Sequence, residues 1–210
     1  MPPSHPFLIG HINVKRLTCP SHFAQLETHC SFYPFDAIAI TETFLSPEQS
    51  DSHLQLPEYH MLRHDRVGKQ GGGIALYVRN NFATKILSTS EPQFDNSPEF
   101  LIAEIAYVNV KILVAVVYRR PSGSIPHQFF EILSNIIPSY NNIIVTGDFN
   151  CNLLTPAKPE TSALQNLISN LSLHIVSTYP THHLVDRNPP SHTTLDLFII
   201  NNPHSILIFE

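Results

Sequence analysis

Positive charge is what this sequence most lacks. Twelve Lys and Arg stand against 17 Asp and Glu, a net charge of −5 with histidine neutral. No global positive field therefore draws the chain to nucleic acid, and any DNA contact has to be local. Charged residues of both signs make up only 14%, against roughly a quarter in ordinary soluble domains. Cysteine is scarce too: Cys19, Cys30 and Cys151 are odd in number, widely spaced and without a C-x-x-C pair. That argues against a disulfide framework or a thiolate zinc site, and for a reducing compartment. No apolar run reaches membrane-spanning length, and Met1 to Leu8 carries prolines and a histidine where a signal peptide needs a basic start and an apolar stretch. The expectation is a soluble intracellular protein with no membrane partner. Thirteen histidines are present, but none forms H-E-x-x-H or another recognised ligand spacing.

What is there suits one well-buried domain over residues 1–210: 42% hydrophobic residues, with 18 prolines against seven glycines, which points to many short elements bounded by rigid loops. Apolar runs predict strands at Phe7 to Ile12, Asp36 to Ile40, Tyr59 to Arg66, Ile74 to Arg79, Phe100 to Val108, Lys111 to Tyr118, Ile143 to Val145, Leu173 to Val176 and Thr194 to Ile200. Ser205 to Phe209 reads as the start of another. Three- and four-residue spacing predicts helices from Ser21 (as N-cap) past Cys30, from Pro126 to Ile137, and from Ser162 to Leu171. Gly68-Lys69 is not a phosphate loop, because Gln70, further glycines and a strand follow it rather than Ser or Thr and a helix. Irregular alternation with several hairpins implies a mixed sheet in an α/β protein.

Four strand ends carry a small polar or acidic group: Asn13, Glu42, the pair Asp148 and Asn150, and Asp196. A carboxylate at the end of an apolar strand is costly to desolvate unless it is paired or holds a cation, and magnesium is typically held by one or two carboxylates plus water and phosphate. In Gly147-Asp148-Phe149-Asn150 the glycine admits a bend, and an extended backbone would point Asp148 and Asn150 the same way. Asp148 could then hold or deprotonate a water while Asn150 donates to a phosphate oxygen. Singly, each residue has an ordinary reading as a turn or surface group. Arg63, Asp65 and Arg66 read as solvated strand charges, and His182, His183 and His192 as loop residues.

Taken in order, "HINVKRL" with Asn13, "IAITETFL" with Glu42, "GGGIALYVRN", "VVYRRPSG" with Tyr118, "VTGDFN" with Asp148 and Asn150, and "HTTLDLFII" with Asp196 resemble the endonuclease/exonuclease/phosphatase family. The flavour is most similar to the endonucleases of retrotransposons without long terminal repeats. The resemblance implies an α/β fold, a four-layer αββα sandwich of two mixed β-sheets flanked by helices. It implies a divalent-metal-dependent phosphodiesterase with Mg2+ or Mn2+ on Glu42, and Asn13 assisting both metal and phosphate. Asp148 would activate water, Asn150 bind the scissile phosphate, Tyr118 place its hydroxyl on a phosphate oxygen, and Asp196 orient a histidine. It further implies DNA as partner, a monomer, a nuclear location for action on chromosomal DNA, and a reverse transcriptase domain within a longer polyprotein.

Three departures qualify the resemblance. Lys15 stands where many relatives have an acid or amide. Arg119-Arg120-Pro121 replaces Ala-Pro-Asn after Tyr118, losing an amide but offering Arg119 and Arg120 as grips on backbone phosphates. No Ser-Asp-His triplet follows Asp196, and His204 comes too soon after it to be assigned that role. The expectation is therefore a domain lacking its last catalytic strand. Three functions stay open: a DNA-nicking enzyme; a catalytically impaired truncated remnant acting at most as a nucleic-acid or protein-binding module; and, within the same fold, a phosphatase of lipid or inositol phosphates, against which the retrotransposon-like "TETFL" and "GGGIALYVRN" segments argue.

Overall fold

A computed structural model describes residues 6–68, 70–91, 96–176, 179–184 and 191–202. Lys69, His204 and the expected strand at Ser205 to Phe209 lie outside the described residues. The first sheet is built from β1 (Ile9–Asn13), β2 (Ala37–Thr41), β3 (Tyr59–His64) and β4 (Ile74–Arg79), in the order β1-β2-β4-β3. Its β1 and β2 run parallel and are joined by α1 (Pro20–Phe32), whereas β3 and β4 form the antiparallel hairpin expected around the glycine run.

The second sheet contains β5 (Ala83–Thr89), β6 (Glu99–Tyr107), β7 (Val110–Tyr118), β8 (Asn142–Asp148), β9 (His174–Ile175) and β12 (Asp196–Ile200). Their order is β5-β6-β7-β8-β12-β9. The small hairpin of β10 (His182–Leu184) and β11 (Ser191–Thr193) stands apart. Here too one pair is parallel, β7 with β8, linked by α2 (His127–Ile136), and α3 (Pro159–Asn170) follows β8. Both sheets are therefore mixed.

Alternation along each strand explains the layering. In β2, Ala37 and Ala39 face the second sheet and pack with Leu76, Leu101, Val114 and Val116, while Ile38 and Ile40 turn outward to Leu26 of α1. In β7 and β8, Leu113, Ala115, Val117, Ile143 and Val145 face Phe129, Phe130 and Leu133 of α2 and Leu164 and Ile168 of α3. The central strands thus bury both faces, which is why they read as unbroken apolar runs. Each fully buried Leu, Ile or Phe contributes roughly 1.5–3 kcal/mol. The result is helix, sheet, sheet, helix, the expected sandwich.

Several boundaries differ from expectation. Cys19, not Ser21, is the N-cap of α1 and makes no side-chain cap bond, its sulfur being a weak acceptor; the helix starts at Pro20, whose missing N–H costs nothing in the first turn. α3 begins at Pro159 rather than Ser162 for the same reason. β5 escaped the sequence reading: at the sheet edge Lys85, Thr84 and Ser88 dilute its apolar signal, and a bulge between Ile86 and Ser88 breaks the alternation.

Candidate active site

Two strand–helix–strand units deliver their parallel strands to one end of the sandwich. Asn13 and Thr41 are register partners at the ends of β1 and β2, with Glu42 next. Tyr118 and Asp148 are partners at the ends of β7 and β8. Antiparallel β12 adds Asp196 opposite Asp148, and β6 adds Glu99 opposite Tyr118. Glu99, Tyr118, Asp148 and Asp196 therefore form a row across four adjacent strands, on the face turned toward the first sheet.

Asn13 joins the two sheets. Its Nδ2 donates to Glu42 Oε1 at 3.1 Å and to Asp148 Oδ2 at 2.9 Å, so the carboxylates of residues 42 and 148, from different sheets, converge on a single nitrogen. Glu42 holds a positive φ of 56°, a conformation that costs a non-glycine residue on the order of 1 kcal/mol. The surrounding backbone imposes it: Arg16 N donates to Glu42 O at 2.8 Å, and Thr43 N and Phe44 N donate to Gly73 O and Gly72 O at 3.2 and 2.8 Å.

Asp148 is 6% exposed, and its pKa is pushed up to about 7. Burial is the main cause, and the Asp196 carboxylate adds to it, while the Asn150 N–H and the Asn13 amide hold it down. Tyr118 is raised well above the ordinary phenol value, first by burial and then by the charge of Glu42 and a hydrogen bond to it, with Arg66 opposing. Gly147, just before Asp148, has φ 141°, and a Cβ there would sit 1.9 Å from Val117 O. Only glycine lets β8 approach β7 this closely.

Two expectations need correction. Asn150 does not continue an extended strand: its φ is 47°. Its N–H donates to Asp148 Oδ1 at 3.0 Å and its side-chain amide donates to the Arg119 carbonyl at 2.7 Å, so the acid caps a turn rather than lying parallel to the amide. Arg119 is not a surface grip on phosphate. It is 4% exposed, and its guanidinium donates to the carbonyls of Ser124 (3.0 Å), Phe149 (3.2 Å), Asn150 (3.0 Å) and Gly123 (2.6 Å). It is an internal brace for the loops after β7 and β8. Arg120 is half-buried and donates to Asn96 Oδ1 at 3.2 Å.

Sequence reasoning misses His11 and Glu99 and takes Arg66 for a solvated charge. His11 faces the same way as Asn13, two residues on; its ring lies between Asp196 (Nδ1 to Oδ1, 3.4 Å) and Thr41 (Nε2 to Oγ1, 3.1 Å). Burial lowers its pKa and the Asp196 charge opposes that. The two-residue spacing from Asn13 was the available signal. Arg66 is no solvated charge: its side chain is 7% exposed, its Nε donates to Glu99, and its guanidinium carbon lies 5.7 Å from the Tyr118 ring centroid. Glu99 is buried with it, its other oxygen accepting Gly73 N–H at 2.6 Å. Arg63 is likewise no free surface charge, since it pairs with Asp65 at 3.2 Å, both side chains being largely buried.

The donor set around Asn13 is all oxygen and amide, the chemistry that suits a hard divalent ion. Among the described residues no three His, Cys, Asp or Glu side chains gather into a ready cage. Magnesium needs none, since it keeps several waters and takes one or two carboxylates. Glu42, which shares the Asn13 amide with Asp148, fits that requirement.

The family description "Endonuclease/Exonuclease/phosphatase family" matches residues 10–206, nearly the whole chain. The chain belongs to this family. Among solved structures, the endonuclease domain of TRAS1, a telomere-specific non-LTR retrotransposon, is similar at 14% identity and TM-score 0.68, over 92% of this chain and 84% of that one. The human Nocturnin catalytic domain is similar at 14% identity and TM-score 0.65, over 93% and 82%. TDP2 from D. rerio, complexed with a single-strand DNA product, follows at 14% and 0.60, over 92% and 83%. At such identities the likeness is one of fold. No curated protein matches the chain. Nor is any helix among the described residues long and apolar enough to cross a membrane.

Proposed function

We propose that this family member is a divalent-metal-dependent phosphodiesterase that nicks DNA in the manner of non-LTR retrotransposon endonucleases. The observation that carries the reading is the convergence of Glu42 and Asp148 on Asn13 at the mouth between the sheets. Glu42, assisted by Asn13, would hold Mg2+ or Mn2+, and the ion when bound supplies Lewis-acid stabilisation of the charge that builds on phosphate.

The protein's own groups do the rest. Asp148, buried and crowded by the Asp196 carboxylate so that it is a stronger base than an ordinary carboxylate, can take a proton from water as the water oxygen attacks phosphorus. The phosphorus–oxygen bond to the sugar breaks, and the departing oxygen takes a proton from solvent water to become a free hydroxyl. Tyr118 turns its hydroxyl toward the carboxylate cluster and is the donor proposed for a phosphate oxygen. Asn150, tied to the Asp148 carboxylate and the Arg119 carbonyl, shapes the loop that the phosphate meets. Asp196 and His11 lie as a pair beside Asp148. Arg120 is the cation proposed for backbone phosphate, acting locally in an acidic chain. A reverse transcriptase domain in a longer polyprotein, a monomeric state and a nuclear location belong to the same proposal.

The test is conversion of supercoiled plasmid to open circles. Nicking is expected with Mg2+ or Mn2+, and it should vanish on chelation and in Asp148→Asn. A pure protein that binds the ion yet leaves plasmid intact under every divalent ion overturns the proposal, and a parallel assay on small phosphomonoesters identifies a phosphatase instead.

A further inference from the structure

We propose that Arg66 is a positioning residue of this site, holding the Tyr118 ring so that its hydroxyl stays directed at Glu42. The inference rests on the phosphodiesterase reading and extends it to a residue that touches neither metal nor phosphate. It starts from the glycine run. Gly71, Gly72 and Gly73 all have positive φ, 83°, 70° and 81°. A Cβ on Gly72 would land 2.2 Å from the Arg66 guanidinium carbon, and one on Gly73 would land 2.3 Å from Thr43 Oγ1. Gly72 therefore does more than turn a hairpin: the side chain it lacks leaves room for the planar cation.

That room is closed from the other side. Glu99 uses one carboxylate oxygen to accept Arg66 Nε and the other to accept Gly73 N–H. Glu99 is also the register partner of Tyr118, so the ion pair and the ring are neighbours on one sheet face. The guanidinium carbon lies 5.7 Å from the ring centroid, within cation–π range. A buried ion pair alone is a weak source of stability, commonly matched by apolar groups of the same volume. Its placement against the one tyrosine that meets Glu42 gives it a use that stability does not.

Lysine keeps the charge that Glu99 requires but loses the planar face and the fork, so Arg66→Lys is the primary variant. Arg66→Met combined with Glu99→Gln removes both charges together and avoids a stranded buried carboxylate. In plasmid nicking, Arg66→Lys should lower kcat by about tenfold to a hundredfold, the scale of a small misplacement of a catalytic group, with little change in KM. Adding Tyr118→Phe to Arg66→Lys should leave the enzyme no slower than Tyr118→Phe alone. Effects that multiply, or a loss confined to KM, overturn the proposal.

A second readout does not require activity. The Tyr118 ring resonance, assigned by its disappearance in Tyr118→Phe, should show slower ring flipping in the wild type than in Arg66→Met/Glu99→Gln, with equal circular dichroism. Equal flip rates overturn the positioning role. A wild-type chain that does not nick, but whose ring flipping still depends on Arg66, sinks the phosphodiesterase reading and leaves the Arg66 contact standing.

Discussion

Replacing Asp148 by asparagine should abolish nicking and yet make the metal-free protein more stable at pH 8. The Asp148 carboxyl titrates at about 7 in the fold instead of its ordinary 3.8. Between those values the folded chain keeps a proton that the unfolded chain has released, so stability falls as pH rises through roughly 4 to 7. A rise of about three pH units at 1.36 kcal/mol each makes the ionised group cost ~4 kcal/mol above pH 7. Asparagine removes that cost. It also disturbs the hydrogen bonds from Asn13 Nδ2 and Asn150 N, each worth about 1 kcal/mol. The net gain is ~2 kcal/mol, or a rise of about 4–8 °C in melting temperature for a chain of this size. Calorimetry in chelator at pH 8 and pH 5 reads the difference directly. At pH 5, about 1.2 units above the ordinary value, only ~1.6 kcal/mol of that cost has built up, which the disturbed hydrogen bonds offset, so the two melting temperatures should nearly coincide. A variant that melts below the wild type at pH 8, or one offset equally at both pH values, would refute the assignment of a buried, charge-crowded carboxylate.

Glu42→Gln should leave the melting temperature of the chelated protein within a few degrees of wild type while weakening divalent-ion binding, measured by titration calorimetry, by at least about tenfold. Arg119→Lys should destabilise by about 2–3 kcal/mol in urea, since one ammonium cannot serve the four carbonyls that the guanidinium now satisfies. The salt dependence of its DNA affinity should be unchanged, against the loss of slope expected on removing a phosphate contact. Gly147→Ala should yield little folded protein, because its Cβ would fall 1.9 Å from Val117 O, against rigid backbone that cannot swing aside; a soluble, cooperatively melting variant would contradict that geometry.

How much of this was legible in the sequence follows from which physics each feature obeys. Buried strands such as β2 and β7 announce themselves because both faces are apolar, and α2 because Phe129, Phe130 and Leu133 share one side. Asn13, Glu42, Asp148 and Asp196 stood out because each breaks or ends such a run. Arg66, Glu99 and His11 were opaque for the opposite reason. A charged or imidazole side chain looks solvated until the register of two different strands decides what it meets. Arg119 misled in the same way: a cation beside a suspected site reads as a ligand for phosphate, whereas four loop carbonyls claimed it. Asn150 sits in a left-handed turn that asparagine tolerates, but the apolar run before it favoured an extended reading.

The first sheet has all four of its strands by residue 79, but Ala37, Ala39, Ile74, Leu76 and Val78 press against strands that are completed only at residue 200. During synthesis that greasy surface waits for its cover for on the order of ten seconds at ordinary translation rates. Emerging chains should accordingly be clients for holding chaperones, and a fragment ending near residue 80 should clump rather than fold.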